Sequence, residues 1–179
     1  GAKYVREVNP GEAIMFNSDG FKSIYQKEMK KCSFCVFEHI YFARPDSEID
    51  GKLVYKSRLL MGKELAREYP VDADMVIGVP DSATASAVGY SEESGIPFGE
   101  GLVKNRYVGR TFINPDQRMR EVGVKVKLNP LKELIQGKRL VVVDDSIVRG
   151  TTSKPVVSLL RNAGASEIHL RICAPPIKF

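Results

Sequence analysis

The sequence lacks what would tie it to a membrane, an oxidising compartment or a repeat architecture. No apolar run approaches the roughly 18 residues of a membrane span. The opening residues Gly1–Glu7 contain no apolar stretch of a secretory signal, so no membrane partner is expected. Cys32, Cys35 and Cys173 are its three cysteines and cannot close a disulfide framework, which points to a reducing, cytoplasmic setting. There is no internal repeat and no low-complexity tract. Gly-x-x-x-x-Gly-Lys does not occur, which excludes a Walker loop, and Gly-x-Gly-x-x-Gly is missing too, so a dinucleotide reading has no fingerprint. What is present is 179 residues, enough for one compact domain with a core that needs no metal or disulfide staple.

The charge is unevenly placed. Lys and Arg number 27 against 22 Asp and Glu, a formal charge of +5. Residues 101–130 hold Lys104, Arg106, Arg110, Arg118, Arg120, Lys125 and Lys127 against only Asp116 and Glu121, which accounts for the whole excess. The rest of the chain is neutral. One cationic segment on a neutral domain favours a small polyanionic substrate over nucleic acid. A polar stretch as long as Lys104–Lys127 inside a compact domain is more often functional than a plain solvated loop.

Periodicity gives the rest of the organisation. Residues 4–8 alternate like a strand, Asn9–Glu12 reads as a turn and Ala13–Phe16 as the returning strand. Lys27–Cys32 is a loosely patterned connection, so residues 1–30 are separated from residues 31–179. Val36–Phe42 is strand-like, and Tyr55–Tyr69 has helical spacing. Met75–Val79 reads as a buried strand, Ala83–Ser94 as a helix stopped at Gly95, and Phe98–Val103 as a further strand. Leu140–Val143 is the clearest buried strand, Thr152–Asn162 a helix ending before Gly164, and Ile168–Cys173 the last strand. Strands alternating with helices predict an α/β fold with a parallel sheet, whose ligands bind where strands end and helices begin. The places to look are after Val79 and after Val143.

Residues 141–153 are the most informative. An apolar strand runs into Asp144-Asp145-Ser146, a turn with Arg149 and Gly150 follows, and Thr151-Thr152-Ser153 open a helix. Two carboxylates at a strand end suit vicinal sugar hydroxyls or Mg²⁺. Gly150 permits close backbone approach, and free N–H groups and hydroxyls at a helix start suit phosphate. A solvated loop and a plain helix cap explain either half alone. The two halves joined fit a sugar phosphate. Val79-Pro80-Asp81-Ser82-Ala83-Thr84, at the other strand end, reads locally as a turn capped by Asp81 or Ser82.

Residues 141–153 resemble the phosphoribosyl-pyrophosphate (PRPP) motif of type I phosphoribosyltransferases. With Phe37–Ser47, Val79–Ser82, Lys104–Phe112 and Ala174–Ile177, the chain from about Tyr4 onward resembles the glutamine PRPP amidotransferase family. The resemblance implies a type I phosphoribosyltransferase fold, with a central, mainly parallel sheet flanked by helices and a flexible lid over Lys104–Lys127. It implies attack of ammonia on ribose C1 of PRPP with loss of pyrophosphate, giving 5-phosphoribosylamine for purine synthesis; an enzyme is expected. PRPP binding falls to Pro80, Asp81, Ser82, Asp144, Asp145, Ser146, Arg149, Gly150, Thr151, Thr152 and Ser153. Mg²⁺ falls to Ser82, Asp144 and Asp145. Lys104, Tyr107 and Arg110 take catalytic positions in the lid, with Arg106 beside them. The alternative is a non-catalytic PRPP-binding regulator on the same fold.

The resemblance also sets expectations at the ends. Residues 1–30 look like the last strands of a glutaminase domain, and 31–179 like a phosphoribosyltransferase domain truncated at its C-terminus. The family's homo-oligomer contacts and inhibitory purine-nucleotide sites would belong to the full-length enzyme. Cys32-Ser33-Phe34-Cys35 alone suggests half a zinc site, a redox pair or two ordinary thiols. In the resemblance, Cys35 matches the first ligand of a [4Fe–4S] cluster found in some members. Its other ligands would lie beyond Phe179, so no cluster is expected in this chain. His39 and His169 read as packed strand residues.

Overall fold

Leu140–Val143 is fully buried, as a run of four β-branched and aliphatic residues requires when both faces of a strand are covered. In the computed structural model it forms the centre of β8 (Arg139–Asp144), and the fold is built outward from it. The structure describes residues 3–26, 34–107, 127–148, 150 and 153–176. The chain divides into two units, residues 1–35 and 36–179.

The first unit is an antiparallel hairpin of β1 (Glu12–Asn17) and β2 (Gly20–Gln26). The expected pairing of 4–8 with 13–16 is not what forms. Residues 4–9 stay outside the ladder, and side chains tie them down instead. The Arg6 guanidinium forks onto the Glu12 carboxylate at 2.7 and 2.9 Å, and the Asn9 backbone N–H donates to the same carboxylate at 2.9 Å. The turn sits at Ser18-Asp19, where the Asp19 N–H donates to Asn17 Oδ1 at 3.0 Å.

The second unit begins with a correction. Val36–Phe42 is not a strand; Glu38–Phe42 winds into one π-helical turn closed by Ala43 N–H donating to the Glu38 carbonyl at 3.2 Å. The cause lies elsewhere in the chain. Buried Arg58 donates to the carbonyls of His39 and Ala43, both at 2.8 Å, and only a wound segment brings two carbonyls four residues apart onto one guanidinium. A two-stranded ribbon follows, β3 (Glu48–Ile49) with β4 (Lys52–Leu53). It leads into α1 (Val54–Glu68).

The sheet is parallel, in the order β5 (Met75–Gly78), β8 (Arg139–Asp144), β9 (Glu167–Ile172). Phe98 bridges to Val76 on the outer side of β5. The crossover helices are α2 (Thr84–Ser94) and α4 (Ser153–Asn162); short α3 (Lys132–Ile135) precedes β8. The expected strand 98–103 splits. Gly99 packs on the end of the Met75 side chain and Gly101 on Ile77, where a Cβ would stand 2.8 Å from Ile77 Cγ2, and β6 (Leu102–Lys104) leaves to pair antiparallel with β7 (Leu128–Pro130). At the N-terminal edge of the sheet, Arg139 pairs with Asp72 at 2.6 Å and Asp74 at 2.8 Å, which fastens the start of β8 to that of β5. No helix among the described residues is long and apolar enough to cross a membrane.

Helices α1 and α2 meet backbone to backbone. A Cβ on Gly62 would stand 1.9 Å from the Ser86 carbonyl oxygen, and one on Gly89 would stand 1.9 Å from that of Leu59. Lys63–Glu92 and Arg67–Glu93 ion pairs cross the same interface at 2.8 and 2.7 Å. Replacing Gly89 with Ala therefore wedges the helices apart. The expected cost is about 1–3 kcal/mol, the usual range for overpacking, read as a lower urea midpoint at unchanged m-value.

Candidate active site

The ladder does not stop where the apolar run does. Val79 N–H donates to the Val143 carbonyl at 2.9 Å, Cys173 N–H to the Asp144 carbonyl at 3.1 Å, and Ala174 N–H to the Asp145 carbonyl at 2.8 Å. Both acids thus sit on backbone held by neighbouring strands. Their side chains are nearly closed off, at 7% and 8% exposed. Asp145 accepts from the Ser146 hydroxyl at 2.6 Å and from the Ser82 hydroxyl, while its own N–H donates to Asp144 Oδ1 at 2.9 Å. Burial, reinforced by the neighbouring Asp145 charge, pushes the Asp144 carboxyl up to about 7. Among the described residues no Lys, Arg or His forms an ion pair with either carboxylate.

The Ser82 contact corrects the local reading of its loop. Neither Asp81 nor Ser82 caps α2, whose N-cap is Ala83 without a side-chain bond. Ser82 instead reaches across from the β5 end to the β8 end, and the two strand-end loops are joined through it. Asp81 turns outward and pairs with the Lys104 ammonium. The Pro80–Asp81 peptide is cis.

Between the β5-end loop and the β6 edge lies a cleft of about 200 Å³, whose walls include Pro80, Asp81, Thr84, Glu100, Lys104 and Arg106. The structure brings Lys104 and Arg106 to this cleft. It does not bring Tyr107, which is fully exposed with its N–H on Asn105 Oδ1 at 3.0 Å. Gly150 has φ +67°, a left-handed turn that a Cβ would strain, and Ser153 is the first residue of α4. Arg110, Arg149, Thr151 and Thr152 lie outside the described residues, as does Cys32. Cys35 is an exposed free thiol.

One residue went unread in the sequence. Arg58 lies within electrostatic reach of Asp145; burial lowers its pKa, while the charge of Asp145 works the other way. The signal was there. Val54, Arg58, Gly62 and Leu65 recur at helical spacing along the buried stripe of α1, so the cation falls on the apolar face. Beside it, Cys173 is raised to about 11, chiefly by burial.

Comparison with known proteins decides the family. Residues 56–174 match the model of the phosphoribosyl transferase domain. The chain belongs to that family. All of it aligns at 56% identity with the amidophosphoribosyltransferase of Mycobacterium tuberculosis strain H37Rv, and 99% of it at 55% with that of Synechocystis. It spans 34% and 36% of those two proteins, little more than a third of their length. Among solved structures, 97% of the chain superposes on 38% of the glutamine PRPP amidotransferase from B. subtilis complexed with ADP and GMP. The TM-score is 0.81 at 54% identity. The expected type I phosphoribosyltransferase fold, with its mainly parallel sheet, is therefore the one observed.

The acid pair of this phosphoribosyl transferase domain carries a pH signature. A carboxyl bound to its proton more tightly when folded contributes stability that is complete below the ordinary Asp range, near 4. That contribution is lost as pH rises through about 7. In a chelator, the melting temperature should fall between pH 5 and pH 8. Asp144→Asn removes the buried charge, so the variant should melt above the parent at pH 8, with the gap closing toward pH 5. Thermal melts across that range check it.

Proposed function

We propose that the chain is the PRPP-binding and transfer domain of an amidophosphoribosyltransferase, an enzyme that makes 5-phosphoribosylamine and pyrophosphate from PRPP and ammonia, with glutamine as the ammonia source in the whole enzyme. The observation that carries this reading is the 54–56% identity, over essentially the whole chain, to proteins of that name. The acid pair, the left-handed Gly150 before α4 and the cationic wall at Lys104 and Arg106 supply the chemistry it needs.

The division of labour follows from charge. Asp144 and Asp145 accept hydrogen bonds from ribose hydroxyls, and the Gly150–Ser153 turn receives the 5-phosphate at the positive end of α4. Ser146 and Arg149 flank that turn. The Pro80–Ser82 loop, Lys104 and Arg106 line the pyrophosphate side, and Arg110 is assigned to the same anion by the family resemblance. Asp144, Asp145 and Ser82 offer only hard oxygen donors, and their two buried carboxylates gain from a divalent cation, so they fit Mg²⁺. When bound, Mg²⁺ neutralises charge on the diphosphate. As the nitrogen lone pair attacks C1, the bond from C1 to pyrophosphate oxygen breaks, and the nitrogen sheds a proton. The chain's residues stabilise the leaving anion through Lys104 and Arg110, and Tyr107, exposed in this structure, would exclude water by covering the bound substrate. No residue is assigned as general base. In the whole enzyme, purine nucleotides act as feedback inhibitors on a cytoplasmic homo-oligomer.

Calorimetric titration with PRPP and Mg²⁺ tests binding, and ammonia-dependent pyrophosphate release tests catalysis. Binding without release would favour a regulatory domain on the same fold. Replacing both Asp144 and Asp145 with Asn should weaken PRPP about tenfold or more, the scale of lost hydrogen bonds to charged groups, with the circular dichroism spectrum unchanged. Unaltered affinity would remove the sugar-binding role.

A further inference from the structure

The Lys104–Asp81 pair spans the cleft between the β5 loop and the end of β6. Taken with the site reading, it poses a problem of sign. An ionised carboxylate has only acceptors to offer, and so does a diphosphate. Asp81 on the pyrophosphate side therefore repels the ligand that Lys104 attracts. Ser82, its neighbour, turns inward to Asp145, while the Asp81 side chain is 73% exposed and directed at the ammonium.

We propose that Asp81 is a positioning residue for Lys104: its carboxylate occupies the place of a diphosphate oxygen and holds the ammonium in the cleft until a polyphosphate displaces it. The proposal rests on the polyphosphate reading of the site. It changes the role of Asp81 from ligand contact to competitor. The pair is suited to exchange. Both side chains reach solvent, 33% of that of Lys104 being exposed, and exposed ion pairs are weak. A diphosphate carries several charges where Asp81 carries one, so its stronger attraction for the ammonium displaces the carboxylate. Arg106 lines the same cleft and completes the cationic side once Lys104 is released.

The test compares the parent chain with Asp81→Asn, Lys104→Met and the double variant. The probe is inorganic pyrophosphate, titrated calorimetrically with and without Mg²⁺. Asp81→Asn should tighten pyrophosphate binding about twofold to fivefold, matching the loss of a weak competing pair. The gain should largely vanish in the Lys104→Met background. Acetic anhydride labelling of Lys104, read by mass spectrometry without ligand, should rise about threefold in Asp81→Asn, on the same weak-pair scale. Weaker binding in Asp81→Asn, with or without Mg²⁺, would make Asp81 a ligand or metal contact and overturn the proposal while the site reading stood. So would a gain undiminished by Lys104→Met, or unchanged labelling. A parent chain that binds no pyrophosphate would overturn the site reading and the proposal together.

Discussion

Three backbone hydrogen bonds beyond the apolar strands govern the site. They run from Val79, Cys173 and Ala174 to the carbonyls of Val143, Asp144 and Asp145. A strand end normally frays into solvent, and carboxylates there would be hydrated and mobile. Here the ladder outlasts the hydrophobic run, so two acids are carried into a nearly dry position on fixed backbone. Their mutual repulsion follows from that placement, and so does the reach of Ser82 across to Asp145.

Those bonds depend in turn on how β8 is fixed at its other end. Arg139 binds Asp72 and Asp74 together, and its guanidinium is raised above its ordinary value chiefly by the Asp74 hydrogen bond. The parallel register Met75↔Leu140 starts one residue beyond that clip. A slip of one residue would exchange the faces of every side chain on the strand. It would also carry Asp144 out of line with Ile172. A salt-bridged edge and a buried Val run therefore enforce the same alignment.

How much of this was legible in the sequence depends on the range of the forces involved. Leu140–Val143 and the Asp144-Asp145 turn are local statements, and both the strand and its chemistry were read from them. Helix α1 was placed within a residue because its apolar stripe is long. The π-helical turn at Glu38–Phe42 was not legible, because an apolar run looks the same in a strand as in a turn wound around a guanidinium from another helix. The N-terminal hairpin was misplaced for a related reason: residues 4–8 were read as a strand pairing with 13–16, yet the Arg6–Glu12 fork holds them outside the ladder. Local pattern offered only a cap by Asp81 or Ser82 for the turn before α2, and it was the family resemblance that grouped Ser82 with Asp144 and Asp145. The actual partner of Ser82 is 63 residues away. The strand pair β6–β7 was hidden because the polar stretch between its halves has no periodicity.

The contact between α1 and α2 has a mechanical side. Most helix pairs are separated by a layer of side chains, which can repack to let one helix slide on the other. Gly62 and Gly89 remove that layer, and each helix backbone becomes the other's bearing surface. Sliding would drive carbonyl oxygens into Cα atoms, so the two helices behave as a single strut. Thr84, at one end of that strut, and Asp81 just before it form one wall of the cleft. Any opening or closing of the cleft must then be done by its other wall, Leu102–Arg106, which rests on a ribbon of only three paired residues per strand.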